Sequence, residues 1–336
     1  DDAINYVLRK PVGVVGLISP WNLPLYLLSW KIAPALLMGN TIIAKPSELT
    51  PLTAHFLGKV CTKLGLPDGV LNIVNGYGPE VGQAIVEHPE IRAISFTGGT
   101  ETGKIVAATA APMFKKLSLE LGGKNASLIL SDADLDITVP GVLRASFLNS
   151  GQICLCGSRI LVHSSIYDDF ISRYLEELKT FKIGPVISDD HRTKVLSYIQ
   201  LAIEEGGEIL AGGSCPDKLG AWIEPTVIAG LSHKSRTATE EIFGPVVTIH
   251  EFDSDEQAVE MANSTQYGLA GSVWSKSKGR EIAEKIDSGM VWVNTWLHRD
   301  LRVPFGGVKD SGVGREGGLW SVGFFSEAVN ICIMED

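Results

Sequence analysis

The chain has 336 residues, 45% of them hydrophobic and 20% charged, a globular composition long enough for two domains and far from disorder. Its formal charge of −10, with no run of Lys or Arg to offset it, argues against a nucleic-acid partner. Five scattered cysteines exclude a disulfide framework and fit the reduced thiols of a cytoplasmic protein.

Residues 1–5 carry no targeting pattern, and the apolar segment 23–39 is broken by two prolines and Lys31, so no membrane partner is expected. Strands are predicted at 13–19, 41–45, 70–74, 93–96 and 116–121, with helices at 25–38, 51–64, 79–87 and 100–109 between them. Strand, helix, strand at this spacing predicts a parallel sheet covered by helices, whose ligands sit beyond the carboxyl ends of the strands. A second α/β unit begins near Gly122. Its strands are predicted at 126–130, 159–163, 246–252 and 271–274, and its helices at 167–180, 190–205 and 255–263. A turn-rich segment, 304–314, leads to a last apolar stretch at 328–333.

The chemistry-bearing motifs lie between these elements. Pro20-Trp21-Asn22 follows a strand, and an Asn amide there is either an oxyanion donor or a turn residue satisfying local backbone. Lys45-Pro46-Ser47-Glu48 offers an ammonium and a carboxylate to ribose hydroxyls, or is a solvated Pro turn. In Phe96-Thr97-Gly98-Gly99-Thr100-Glu101-Thr102-Gly103 a strand ends in a Gly-rich turn that opens a helix, which suits a pyrophosphate. It matches neither G-x-G-x-x-G nor a P-loop. Glu120, ending an apolar strand before Leu121-Gly122-Gly123, is a desolvated general base or a turn-flanking carboxylate. Cys154, after Asn149-Ser150-Gly151-Gln152-Ile153, is a reactive thiol or an inert buried one. Cys154 and Cys156 form a C-x-C pair with no second pair or His cluster at zinc spacing, so no metal is expected. A Cys–His hydrolase is the rival chemistry. Of seven histidines only His298 lies near a motif, and a Glu base beside a dinucleotide platform explains more of the chain.

Together with Glu241-Ile242-Phe243-Gly244-Pro245 and Pro304-Phe305-Gly306-Gly307, these motifs closely resemble the aldehyde dehydrogenase superfamily, in the same order, from about Pro11 to Glu327. The stretch from Val293 to Arg302 resembles the 2-aminomuconic and 2-hydroxymuconic semialdehyde subgroup. The resemblance implies a Rossmann-like parallel-sheet cofactor domain (11–121), an α/β catalytic domain (122–309), and a small oligomerisation arm with C-terminal return (1–10 and 310–336) of a dimer or tetramer. It implies NAD-dependent oxidation of an aldehyde, with Cys154 as nucleophile, Glu120 as base and Asn22 as oxyanion donor. Ser19, Pro20, Trp21, Lys45, Glu48, Gly78, Phe96, Thr97, Gly98, Gly99, Gly103, Leu121, Glu241 and Phe243 would then hold NAD. Arg299 and Asn294 would hold a substrate bearing a carboxylate. The sequence departs from the family in three places. The N-terminal part is shorter, 181–188 joins two family segments with a loop deleted, and Gly99 stands where Ser is usual. The alternative these raise is an inactive relative with a structural or binding role. Release of the acyl group to coenzyme A is disfavoured by the retained Glu120.

Overall fold

The computed structural model describes residues 2–334. The chain forms two compact units. One comprises the chain to Leu121, Asp300–Gly306 and the chain from Gly312; the other comprises Gly122–Arg299 and Gly307–Ser311.

The first unit begins with β1 (Ala3–Pro11), β2 (Val14–Ile18), α1 (Pro24–Leu37), β3 (Thr41–Lys45), α2 (Leu52–Lys63) and β4 (Leu71–Ile73). A π-helical turn, Gly78–Gly82, then leads into α3 (Gln83–Glu87), β5 (Ile91–Thr97), α4 (Thr100–Ala110) and β6 (Lys116–Glu120). Val15, Leu17, Ile42 and Ile94 are fully buried, as expected of strands covered on both faces. One face packs under α1 and α2 through Leu28, Ile32, Ala35 and Ala54. The other packs under α3 and α4 through Ile85, Val86, Val106 and Ala110. Burial of each large aliphatic side chain contributes roughly 1.5–3 kcal/mol. The parallel strands run in the order β4-β3-β2-β5-β6. The order reverses between β2 and β5, which opens a crevice at their carboxyl ends.

The second unit holds β7 (Ala126–Ile129), α5 (Leu135–Phe147), β8 (Arg159–His163), α6 (Tyr167–Leu178), α7 (Asp189–Glu204), β9 (Glu208–Ala211) and β10 (Thr226–Ala229). It continues with α8 (Arg236–Thr239), β11 (Val246–Phe252), α9 (Asp255–Asn263), β12 (Tyr267–Gly268), β13 (Ala270–Trp274), α10 (Gly279–Ala283), β14 (Met290–Val293) and β15 (Val308–Lys309). Its main sheet has the order β14-β13-β7-β8-β11-β10-β9 and is parallel except for β9 at the edge. Side-chain oxygens of Asp134, Ser188, Ser235 and Ser254 cap the amide-rich starts of α5, α7, α8 and α9. Helix α5 has no counterpart among the sequence-predicted elements, because its Pro140-Gly141 pair reads as a turn. The glycine serves packing instead: a Cβ at Gly141 would lie 2.2 Å from the Trp274 ring.

The last residues return to the first unit as β16 (Gly312–Val313), α11 (Gly318–Phe324) and β17 (Ser326–Met334). Residues 300–306 were grouped with the second domain on sequence, but they belong to the first unit. There Phe305 and Glu316 exchange backbone hydrogen bonds of 2.8 and 2.7 Å. The two stretches expected to seek strands in other subunits pair with each other. Strands β1 and β17 form an antiparallel two-stranded ribbon, with Ala3 opposite Met334 and Pro11 opposite Ser326. Of the expected C-terminal arm only 326–334 lies in this ribbon.

Candidate active site

In the first unit every candidate follows a strand of the parallel sheet. Ser19 to Asn22 leave β2, Lys45 and Glu48 leave β3, Gly78 opens the π-turn beyond β4, and Thr97 to Gly99 leave β5. The Ser19 amide donates to the Lys45 carbonyl at 3.1 Å, so the β2 and β3 exits lie side by side. Lys45 is buried, and its Nζ donates to Glu48 Oε2 at 3.2 Å and to the Pro46 carbonyl at 3.0 Å. A Cβ on Gly98 would stand 2.5 Å from the Phe96 ring, and one on Gly103 would stand 2.4 Å from Leu121. Phe96 and Leu121 are therefore the buried floor on which the turn and α4 are laid.

Two observations bear on a dinucleotide here. The first turn of α4 starts from Gly99 with no side-chain cap, and a helix start of that kind points its amides toward an anion. The buried Ser19 hydroxyl has no hydrogen-bond partner among the described residues. These residues fit a phosphate-bearing cofactor.

Glu120 ends β6 between β5 and β16, and its carbonyl accepts from Gly98 N at 3.0 Å. It is 3% exposed, more deeply buried than a turn-flanking carboxylate would be. Gly306, at φ 150°, lies against it: a Cβ there would come within 2.8 Å of Oε1. Only glycine adopts that backbone without strain, which accounts for part of the Pro304–Gly307 motif. Asn22 is half-buried just ahead of α1.

In the second unit Asn294 and Arg299 follow β14, whereas three candidates precede a strand. Cys154 stands before β8, and Glu241 and Phe243 stand before β11. The turn that leads to Cys154 is strained. Asn149 (φ 51°), Ser150 (φ 57°) and Gly151 (φ 72°) are consecutive left-handed residues, and for the two with side chains this costs about 1–2 kcal/mol each. Gly151 is required twice over, since a Cβ would also stand 2.1 Å from the Gly244 carbonyl. Side chains hold the turn in place. Ser150 Oγ donates to the Gly184 carbonyl at 2.8 Å, while Gln152 donates to Asn149 O at 3.0 Å and accepts from Ile187 N at 2.9 Å. Of residues 151–157, Cys154 alone is not buried. Cys156, two residues on, is buried, and desolvation pushes its thiol up to about 12.

Glu241 is half-buried and accepts from Gly123 N at 2.9 Å. Burial raises its carboxyl above the ordinary range, opposed by that amide and by Lys194 and Lys124. Phe243 takes a left-handed conformation, φ 62°. Asn294, at φ 52°, uses its amide locally: Oδ1 accepts from Ser275 N at 2.9 Å and Nδ2 donates to Ser275 O at 2.7 Å. These paired hydrogen bonds tie Asn294 to the exit of β13. Arg299 is half-buried. Its chain neighbour Asp300 pairs with Arg302 at 2.6 Å.

Three further groups have no motif to announce them. Asn125 donates from Nδ2 to the carbonyls of Cys154 (2.7 Å) and Cys156 (2.9 Å) and accepts from Ala270 N at 2.9 Å, clamping the Cys154 loop to β13. The Trp296 indole donates to Leu155 O at 3.0 Å and so returns the segment after β14 to that loop. In the first unit, buried Lys31 bonds to Glu316 at 2.5 Å and to Ser95 at 2.8 Å, and Ser95 donates to Glu316 at 2.9 Å. Among the described residues, no group of three or more His, Cys, Asp or Glu is placed to hold a metal. Among the same residues, no helix is long and apolar enough to cross a membrane.

The family model described as "Aldehyde dehydrogenase family" matches residues 1–331. A 2-aminomuconic 6-semialdehyde dehydrogenase of Pseudomonas sp is 49% identical over 352 aligned positions, covering 99% of this chain and 72% of that protein. The human 2-aminomuconic semialdehyde dehydrogenase is 51% identical over 98% of this chain and 72% of its own length. The aligned span exceeds the 336 residues present, so the bacterial relative carries residues inside the matched region that this chain lacks. A crystal structure of Staphylococcus aureus betaine aldehyde dehydrogenase in complex with NAD+ superposes with a TM-score of 0.97 at 40% identity, covering 100% of this chain and 70% of that one. The inactive-relative alternative gains no support from these matches. With both the sequence and the backbone matched from end to end, the chain belongs to the aldehyde dehydrogenase family.

Proposed function

We propose that this NAD-dependent aldehyde dehydrogenase oxidises a semialdehyde bearing a carboxylate, through a thioester on Cys154. The observation that carries the reading is the contrast within one loop. Cys154 alone is accessible, on a carbonyl clamped by Asn125, while Cys156 is buried and held protonated. The names of the relatives, 2-aminomuconic and 2-hydroxymuconic semialdehyde dehydrogenases, support the substrate class.

In this reading the Cys154 thiolate adds to the aldehyde carbon, and the displaced π pair becomes an oxyanion. The Asn22 amide and the Cys154 N–H donate to that oxyanion; one such donor lost typically costs about 100- to 1,000-fold in rate. Bound NAD supplies the hydride acceptor that leaves a thioester on Cys154. Glu120 takes a proton from water, the oxygen attacks the thioester carbon, and Cys154 departs as thiolate with release of the acid. Lys45 and Glu48 hold the adenosine ribose, where the carboxylate disfavours a 2′-phosphate. Ser19, Pro20, Trp21, Gly78, Thr97, Gly98, Gly99 and the start of α4 line the rest of the dinucleotide, Glu241 orients the nicotinamide ribose, and Phe243 packs by the ring. Arg299 pairs with the substrate carboxylate. The β1–β17 ribbon, with Ile4, Tyr6 and Ile333 exposed, serves to join copies of the chain into a dimer or tetramer, and the free thiols suit the cytoplasm.

The test is NADH formation from NAD with 2-aminomuconic or 2-hydroxymuconic semialdehyde, beside propanal and a Cys154→Ala control. Activity should vanish in the control. Arg299→Ala should raise KM for the semialdehyde by roughly 10- to 100-fold, the value of a charge-assisted hydrogen bond, and leave propanal nearly unchanged. Equal effects on both substrates would remove Arg299 from the site.

A further inference from the structure

We infer that α7 is the positioning element for the 240–243 loop, with His191 as its principal residue. The inference rests on the reading that Glu241 and Phe243 contact the dinucleotide. His191, Lys194 and Tyr198 follow one another at helical spacing along one face of α7. Each holds a different residue of the loop. His191 Nε2 lies 2.7 Å from the Phe243 carbonyl, Lys194 Nζ donates to the Glu241 carbonyl at 3.4 Å, and Tyr198 Oη donates to Glu240 Oε2 at 2.8 Å.

The His191 contact has a defined chemistry. A carbonyl oxygen only accepts, so Nε2 carries the proton. Burial lowers the pKa of His191, which keeps the ring neutral at physiological pH with that single N–H. The same imidazole meets the Phe243 ring edge to face, with centroids 6.3 Å apart and planes at 76°. Phe243 is left-handed at φ 62°, so neither helix nor strand pairing orients its carbonyl, and His191 does so instead. The helix is anchored in turn. Ser188 Oγ caps its start at His191 N, 3.2 Å, and the lead-in residues Gly184 and Ile187 bond to Ser150 and Gln152 of the nucleophile turn. One continuous segment, 184–198, thus holds both the Cys154 turn and the cofactor loop.

The experiment measures KM for NAD at saturating aldehyde, KM for aldehyde at saturating NAD, and the melting temperature, on the full chain. His191→Leu, which removes the donor, should raise KM for NAD about tenfold and leave KM for aldehyde within about twofold. His191→Gln places an amide N–H near the Nε2 position and should restore KM for NAD to within about twofold of the parent. If the Leu variant fails to fold, His191→Asn, whose shorter amide falls short of the carbonyl, carries the same expectation. A purely structural role would lower the melting temperature and move both KM values together, overturning the inference. Phe243→Ala separates the two layers. A raised KM for NAD there with no change at His191 overturns the role of α7 alone. No change at either position overturns the cofactor reading as well.

Discussion

At the scale of single residues, two cysteines two positions apart meet different surroundings. Burial pushes the Cys156 thiol up to about 12, whereas Cys154 is presented to solvent from a loop otherwise buried. Brief iodoacetamide treatment followed by peptide mapping should therefore label Cys154 and spare Cys156, and Cys156→Ser should retain most of the activity. Labelling of Cys156 at a comparable rate would mean that the loop opens in solution. A residue's proposed part is legible in the sequence where a motif surrounds it, as at Cys154 and Glu120. It is not legible where a side chain acts on distant backbone. Asn125 clamps the Cys154 carbonyl 29 positions away, and the Trp296 indole reaches Leu155 across 141. No local pattern encodes such reach. Asn294 likewise bonds through its amide to the Ser275 backbone, 19 positions away.

At the scale of elements, the strands with dense aliphatic runs were readable to within two residues, because burial on both faces leaves little choice of residue. The elements not read were α5, its pattern interrupted by Pro140-Gly141, the helices α8, α10 and α11, and the short strands β9, β10, β12, β14, β15 and β16, which offer too little period to read. Helix α1 is tied to β5 and to the segment after β16 by the Lys31–Glu316–Ser95 triad. Glu316→Ala would leave the Lys31 ammonium buried without its counter-ion and should cost about 3–5 kcal/mol, read as a shift in urea midpoint. A loss below about 1 kcal/mol would show that water reaches Lys31 and that the triad contributes little to stability.

For the whole molecule, the histidines set the acid limb of stability. Burial lowers the pKa of His250 to about 4 and also depresses His191 and His233. His250 sits with Nδ1 3.2 Å from the Leu231 carbonyl and Nε2 2.9 Å from Thr248 Oγ1, an arrangement suited to the neutral ring. The unfolded chain binds more protons at these sites between about pH 4 and 6.5, so stability rises with pH across that window. The His250 contribution is complete above about pH 6.5. It falls by about 3 kcal/mol as pH drops to about 4, one pKa unit being worth about 1.4 kcal/mol. Urea midpoints at pH 7, 5.5 and 4 should decline in that order, with a shallower decline in His250→Gln. An unchanged slope in that variant would assign the acid limb to other groups.

The ribbon of β1 and β17 carries a consequence for the order of folding. Arg9 donates to Ser326 across 317 positions, so the pairing must close almost the entire chain into a loop before it gains a hydrogen bond. Both strands are mostly exposed and bury little apolar surface in return. The ribbon therefore forms last, after the sheet strands that lie between its two halves in the chain have packed, and it is the first pairing to open. Amides of 3–11 and 326–334 should exchange with solvent deuterium well before those of β2 or β5, and the chain ends should part while the core remains intact.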